Sequence, residues 1–299
     1  MTIQLANAPV SWGIYEFKEI APKYPYTRVL DEIVETGYTG LELGPWGYLP
    51  TDPDLLRAEL KARNLRLLSS FVPVRFADPA DIEAQEAHAL KVGRLLASQG
   101  AVTIVLADDN GTVPDLVQRA GWRGGSMLSS EEWDIYAAGV NRVARAVFDE
   151  TGLHVVFHHH CAGYVETPEE TRALMDRTDA DLVGLCLDTG HWHYAGGDGV
   201  QCVREYGERV RYLHLKDCQP AIKAKAHAEH MAYFSATALG LYCELGLGEV
   251  DFPTLLHEMD AIGYDGWAVV EQDVFVDDLD APKQSSRRNR EYLRGLGLM

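Results

Sequence analysis

Four short apolar runs in the second half of this chain each end in a residue type that binds metals. Val155-Val156-Phe157 leads into His158-His159-His160, and Leu185-Cys186-Leu187 leads into Asp188-Thr189-Gly190-His191. Tyr212-Leu213 leads into His214, with Lys216 and Asp217 just beyond, and Trp267-Ala268-Val269-Val270 leads into Glu271. A carboxylate or imidazole at the tip of a buried strand is costly to desolvate unless a cation or a hydrogen-bond partner meets it. Four such tips on successive strands point to a fold in which the strand ends converge on one site.

The rest of the chain fits that demand. Strand-like runs fall at Ile3–Ala8, Gly40–Gly44, Leu65–Phe71, Ala101–Ala107, Leu153–His158, Leu182–Asp188, Arg211–Asp217 and Trp267–Asp273. They are short and apolar on both parities, as parallel strands covered on both faces should be. Helical segments lie between them. Asp52-Pro53 opens one over Asp54–Arg63, with a cap and a proline in the first turn. Ser129 and Glu132 form a capping box before a helix reaching Asp149, and Thr167-Pro168-Glu169-Glu170 repeats the device before one ending near Arg177. Helices are also expected over Arg28–Thr36, Asp81–Ser98, Phe252–Ile262 and Ser286–Leu296. Eight strands alternating with helices predict an α/β fold, a single (β/α)8 TIM barrel of parallel strands with its active site at the C-terminal face. The doubly wound open sheet is the alternative. No Gly-rich dinucleotide fingerprint follows the first strand, which disfavours that alternative.

With 299 residues the chain can hold such a barrel, which typically needs ~250, as one domain over 1–299. Two long loops are expected, at 108–128 and 218–248. In a barrel both emerge at the C-terminal face, where they can cover the site or serve as surface decoration. The formal net charge of −18 repels phosphate backbones and anionic membranes, so neither nucleic acid nor a membrane is an expected partner. Nothing in the composition opposes a homo-oligomer. Met1–Ala8 lacks the charged and apolar regions of a signal peptide, and no stretch approaches ~18 apolar residues. The five cysteines are odd in number and form no C-x-x-C pair, which suits reduced thiols in a cytoplasmic protein.

The expected metal ligands are His158, Asp188, His214 and Glu271, separated by 30, 26 and 57 residues. No local motif exists; the case rests on the barrel bringing strand ends into a ring. Two nitrogens and two carboxylates suit Mn2+, Co2+, Fe2+ or Zn2+ better than Mg2+ or Ca2+, with Mn2+ or Co2+ foremost. Each residue also has a structural use: His214 as a hydrogen-bonded core histidine, Glu271 paired with a lysine, Asp188 capping the turn at Gly190. Four coincident strand tips make the shared site the better account. Within the histidine run only alternate residues face inward, so His158 and His160 are the inward pair and His159 packs behind them. Glu42 closes the second strand and Trp12 follows the first; both are candidates for the substrate pocket, as is His191. Lys216 shares a face with His214. It is a candidate acid or base, with His160 and Glu271, or the partner of Asp217 or Glu271 in a salt bridge.

Several of these pieces carry a resemblance. Asp188-x-x-His191 and Gly246-Leu247-Gly248-Glu249-Val250-Asp251-Phe252 are similar to the Asp-x-x-His and Gly-x-Gly-x-x-Asp-Phe motifs of the xylose isomerase-like TIM-barrel superfamily. Within it, Ala8-Pro9-x-x-Trp12, the histidine triplet, the span Glu170–His191 and His214-Leu215-Lys216-Asp217 resemble the inosose dehydratases. Ordinary sugar epimerases of the superfamily have a glutamate where His158 stands. The resemblance implies a hydro-lyase of inositol catabolism that removes water from scyllo-inosose, a polyol ketone, with a divalent metal. A sugar isomerase or epimerase, or a nonenzymatic sugar- or metal-binding barrel, are the alternatives. Two places depart from the pattern: Val269–Asp273 is shorter than the related form, and Ala221–Leu245 matches poorly.

Overall fold

A computed structural model describes residues 3–15, 24–275 and 278–298, so the outermost residues of the expected domain lie outside the described ones. The strands are β1 (Gln4–Asn7), β2 (Gly40–Glu42), β3 (Arg66–Ser69), β4 (Phe71–Val74), β5 (Thr103–Asp108), β6 (His154–His158), β7 (Val183–Asp188), β8 (Val210–Leu215), β9 (Asp217–Cys218), β10 (Tyr242–Cys243) and β11 (Trp267–Val270). The α-helices are α1 (Tyr26–Glu35), α2 (Pro53–Ala62), α3 (Ile82–Ser98), α4 (Pro114–Arg119), α5 (Ser130–Thr151), α6 (Pro168–Met175), α7 (Thr189–Tyr194), α8 (Gly199–Tyr206), α9 (Pro220–Ala228), α10 (Tyr233–Ala238), α11 (Phe252–Ala261) and α12 (Ala281–Gly295).

Nine strands form one sheet in the order β3-β2-β1-β11-β8-β7-β6-β5-β4, and the pairings along it are parallel. Its two end strands, β3 and β4, are separated only by Ser70. They are halves of one bent segment. β3 pairs with β2 and β4 with β5, and Val105 N–H donates to the Ser70 carbonyl across the bend at 3.1 Å. The sheet thereby curls into the TIM barrel, and the open-sheet alternative is excluded. The third expected strand, Leu65–Phe71, is therefore broken at Ser70 and runs on to Val74. The last strand stops at Val270 rather than Asp273, because the Gln272 N–H turns to the Ser11 hydroxyl at 3.2 Å. The last helix starts at Ala281 rather than Ser286, with a proline in its first turn.

The barrel interior follows the two-residue period of its strands. Ala6, Leu68, Val105, Val156, Cys186, Tyr212 and Val269 pack against one another in one buried cluster. Val156, Cys186, Tyr212 and Val269 each precede an expected metal ligand by two residues. Each ligand therefore stands on the same inward face, one layer higher. Outside the barrel, helices bury one stripe. In α5 the buried residues are Trp133, Tyr136, Ala137, Val140, Val143, Ala144 and Val147, the spacing of a helix against a sheet. Both predicted capping boxes, Ser129 with Glu132 and Thr167 with Glu170, are formed.

β8 ends at Leu215, one residue before the lysine, and the chain then enters the loop at 218–248. That loop is not irregular: it carries α9 and α10 and returns as β10, which pairs antiparallel with β9, Tyr242 opposite Cys218. The buried Asp217 carboxylate ties the junction. It accepts N–H groups from Cys218 (2.8 Å), Gly246 (2.8 Å), Gly248 (2.9 Å) and Val250 (3.1 Å). Gly248 is required there, because a Cβ would collide with that carboxylate. The Gly-x-Gly segment is thus a wrapping for one anion. Replacing Asp217 with Ala leaves these amides without an acceptor, and we expect a loss of about 3 kcal/mol, measured by chemical denaturation.

Candidate active site

A cavity of about 230 Å³ opens at the C-terminal ends of the strands. Its polar floor includes Glu42, His158, His160, Lys216, Glu271 and Asp273, and its walls include Ile14, Phe71, Phe234 and Phe275. One ligand atom from each of His158, Asp188, His214 and Glu271 lies within 4.8 Å of the others. Around an ion with bonds of about 2.0–2.2 Å, opposed ligand atoms stand about twice that apart, so the four donors have the span of one coordination sphere.

Their surroundings turn them toward a common point. His214 is anchored from below: its Nε2 lies 3.1 Å from Glu42 Oε1, and Glu42 in turn accepts from the Ser69 hydroxyl at 2.7 Å. That leaves Nδ1 of His214 facing Glu271 Oε2 at 3.3 Å and Asp188 Oδ2 at 3.8 Å. Asp188 divides its two oxygens. Oδ1 accepts the His191 N–H at 2.9 Å and caps α7, while its own N–H donates to His159 Nε2 at 3.2 Å. Oδ2 is buried without a hydrogen-bond partner, as are Nδ1 of His158 and Nδ1 of His214. Orphaned buried donors and acceptors are rare in folded proteins. Two of them, Asp188 Oδ2 and His214 Nδ1, face a shared centre with His158 Nε2, which lies 3.6 Å from Asp188 Oδ2; this fits a divalent cation, and the mixed nitrogen and carboxylate set fits a transition ion.

The Lys216 ammonium lies among these groups. Lys216 Nζ stands 2.6 Å from Asp273 Oδ1, 3.2 Å from Glu271 Oε2 and 3.3 Å from Asp188 Oδ2. Burial disfavours its charge, but Asp188, Asp273 and Glu271 outweigh burial and hold the ammonium well above its ordinary pKa. The converse holds for the acids. Burial raises Asp188, yet Lys216, His191 and His158 bring it well below the usual carboxylate range. Against burial, His214 and Lys216 likewise lower Glu271, and Lys216 and His191 lower Asp273. Burial also keeps His158 and His160 neutral, with pKa values lowered. Gly190 makes room for the lysine: a Cβ there would come 2.6 Å from Lys216 Cγ.

The profile of the xylose isomerase-like TIM barrel matches residues 30–296. The chain belongs to this family. It is 30% identical over 271 residues to an inosose dehydratase of Lacticaseibacillus casei, an alignment covering 91% of this chain and 90% of that protein. Among solved structures, a probable 3-DHS dehydratase, AsbF of Bacillus anthracis, superposes with a TM-score of 0.72 at 16% identity, covering 98% of this chain and 99% of that one. An IolI protein with a binding zinc atom superposes with a TM-score of 0.71 at 15% identity, covering 98% of each chain. Among the described residues no helix is long and apolar enough to cross a membrane.

Not every expected site residue borders the cavity. Trp12, expected at the pocket wall, is buried, and its indole N–H donates to Glu32 Oε2 on α1 at 2.7 Å; it fastens the segment after β1 to the helix layer. Glu42 reaches the floor of the cavity but spends one oxygen on His214 and Ser69. His191 lies behind the floor, with Nε2 3.2 Å from Lys216 Nζ. Of the two salt-bridge partners weighed for Lys216, Glu271 is used and Asp217 is not. Sequence reasoning missed Asp273, although its two-residue spacing from Glu271 was a usable sign. It also missed Tyr233 and Tyr242, on the short α10 and the two-residue β10, and Asn110, on the loop after β5, none of which carries a periodic signal.

Two predictions follow from this geometry. Asp188→Asn keeps an oxygen for the α7 cap but removes the carboxylate charge, and should lower retained metal at least tenfold, read by elemental analysis of the purified protein. The second concerns Asp108, at the tip of β5, which accepts the Tyr164 N–H at 2.7 Å. Burial pushes its carboxyl up to about 6. A raised folded-state pKa means that its contribution is complete below the ordinary value near 4 and is lost as pH rises through about 6. Asp108→Asn, neutral throughout, should therefore gain about 3 kcal/mol relative to the parent between pH 4 and 7, read as the difference in their unfolding free energies at the two pH values.

Proposed function

We propose that this protein is a metal-dependent dehydratase, a hydro-lyase that removes water from an uncharged cyclic polyol ketone, with scyllo-inosose as substrate. The observation that carries the reading is the donor set itself. A histidine, His158, occupies the β6 tip, where the epimerases of this superfamily have a glutamate. Removing a proton from one face of a substrate and returning it to the other calls for a matched carboxylate pair among the ligands. Elimination calls for one base and one acid, and tolerates the histidine. The relationship to inosose dehydratases over nine-tenths of the chain supports the same reading. The cavity also suits a neutral ligand. Among the described residues that line it, Glu42, Asp109, Glu271 and Asp273 are acidic, Lys216 is the lone ammonium, and none is an arginine.

His158, Asp188, His214 and Glu271 would hold the divalent ion, Mn2+ or Co2+ foremost, and the ion supplies Lewis acidity at the ketone oxygen. His160 is the base. Its Nδ1 lies 2.6 Å from the Cys161 carbonyl, which can only accept, so Nδ1 carries the proton and Nε2 offers a lone pair. Nε2 takes the proton from the carbon next to the ketone. Lys216, held charged by its three carboxylates, gives a proton to the departing β-hydroxyl. Carbon–hydrogen and carbon–oxygen bonds break, one water leaves, and the enol of a dione remains. Phe71 and Phe234 wall the cavity and limit water around these groups.

Incubated with scyllo-inosose and Mn2+ or Co2+, the protein should yield a product lighter by one water, read by mass spectrometry. Unchanged inosose beside turnover of a ketohexose would replace this reading with the epimerase one. In His158→Glu, metal should be retained, dehydration should fall by about tenfold or more, and deuterium should enter the α position from solvent without water loss. Full dehydration by that variant would remove the argument from the donor set.

A further inference from the structure

Above its floor, part of the cavity wall is made by the loop that follows β5. Ala107 pairs with His158 in the sheet, so Asn110, three residues further along the chain, stands above the level of the four donors. It borders the cavity and is only 7% exposed. The backbone around it is stitched on both sides. The Asn110 N–H donates to the Asp108 carbonyl at 2.9 Å and the Gly111 N–H to the Ala162 carbonyl at 3.1 Å, while Asp108 Oδ2 accepts the Tyr164 N–H at 2.7 Å. Asn110 is thereby fixed against the turn that follows β6.

Its side chain is held in place without being satisfied. Oδ1 of Asn110 is buried with no hydrogen-bond partner among the described residues. It lies over Gly163, where a Cβ would come 2.5 Å from that oxygen, so the turn after β6 gives up a side chain to seat the amide. An amide oxygen buried without a donor is destabilising, and such groups are rare enough to require a reason. Three other polar side chains that border the cavity are already engaged. The Thr112 hydroxyl donates to the Asp109 carbonyl at 2.7 Å, the Thr237 hydroxyl donates to the Tyr233 carbonyl at 3.1 Å, and Asp109 Oδ2 faces Arg75 at 3.7 Å.

A bound polyol ketone offers what is missing. Its ketone oxygen belongs at the floor, where the four donors would hold a Lewis acid, so the far side of the ring points up the wall. The ring hydroxyl opposite the ketone is then the group farthest from the floor. A hydroxyl both donates and accepts, so it can pair with either end of an amide. We infer that Asn110 is a specificity-determining residue, whose amide hydrogen-bonds the ring hydroxyl opposite the ketone. The inference rests on the proposed function for where the ketone lies. A ketone lacking that hydroxyl leaves the amide unpaired in the complex and is discriminated against for that reason.

The test compares scyllo-inosose with the analogue in which that one hydroxyl is replaced by hydrogen, on protein loaded with Mn2+. The parent should prefer the complete ring by about tenfold or more in kcat/KM, mainly through KM, because the missing group is neither the ketone, nor on the carbon that loses the proton, nor the departing hydroxyl. In Asn110→Leu, close in shape and without polar side-chain atoms, the preference should fall to within about twofold, with inosose losing and the analogue changing little. Asn110→Ala gives the same comparison where the leucine is not accommodated. A parent that dehydrates both ketones equally well, or variants that keep the parent's preference, overturn the inference and leave the proposed function standing. If the parent dehydrates neither ketone, the proposed function fails, and the dissociation constants of the two ketones, measured by calorimetry, decide the role of Asn110. A difference of about tenfold that is lost in the variants supports it; equal constants, or no binding of either ketone, overturn it.

Discussion

The geometry of this site depends on the burial of the Lys216 ammonium among Asp188, Glu271 and Asp273. Removing a lysine from water costs several kcal/mol unless its charge is matched. Three carboxylates from the tips of two strands match it, and each of them is held ionised in return. Asp188 and Glu271 also belong to the four-donor cluster, so the lysine and the candidate metal position share their counter-charges. A cation is therefore always near these oxygens, and the cluster of like charges stays compact. The glycine at 190 follows from giving the lysine stem a path to that point.

Much of this was legible in the sequence. The four strand tips stood out because each ends an apolar run, but the runs are apolar on both parities, so the inward face carried by Val156, Cys186, Tyr212 and Val269 shows only in the barrel. The capping boxes at Ser129 and Thr167 marked helix starts, since a cap is a local pattern. Trp12 was misleading, since an aromatic residue after a strand suits a pocket wall and a helix contact equally, and its hydrogen bond to Glu32 depends on where α1 docks. The break at Ser70 was invisible because no glycine or proline marks it and apolar residues, Leu67-Leu68 before and Phe71-Val72 after, flank the two serines. Tyr233 and Tyr242 were out of reach for another reason. They stand on a short helix and a two-residue strand, where neither period has length to show.

A buried chain of polar contacts runs below the site as well. Ser69 bonds to Glu42 and sits 3.0 Å from the Tyr212 hydroxyl, and Glu42 faces His214. Through these groups β2, β3 and β8 share one network, in which the orientation of a single imidazole depends on residues from across the barrel. Such networks rigidify when every member is satisfied. In the layer above, Asp188 Oδ2 and His214 Nδ1 are left without hydrogen bonds where they face the cluster, so the fully satisfied network stops just below them.

Lys216 and Asp217 are neighbours in sequence but turn to opposite sides, one toward the cavity and the other into the turn at 246–250. This split makes the insertion modular. Its two ends are clamped to the frame by the Asp217 carboxylate, and its middle, between β9 and β10, packs Ala226, Tyr233, Ala236 and Leu241 into a buried cluster of its own while the exposed positions around them are open to change. New side chains can be brought to the rim of the cavity in that stretch without disturbing the strand that carries the lysine. A lineage exploring other substrates would accumulate its changes at cavity-facing positions between residues 219 and 241 and leave the carboxylate at 217 untouched.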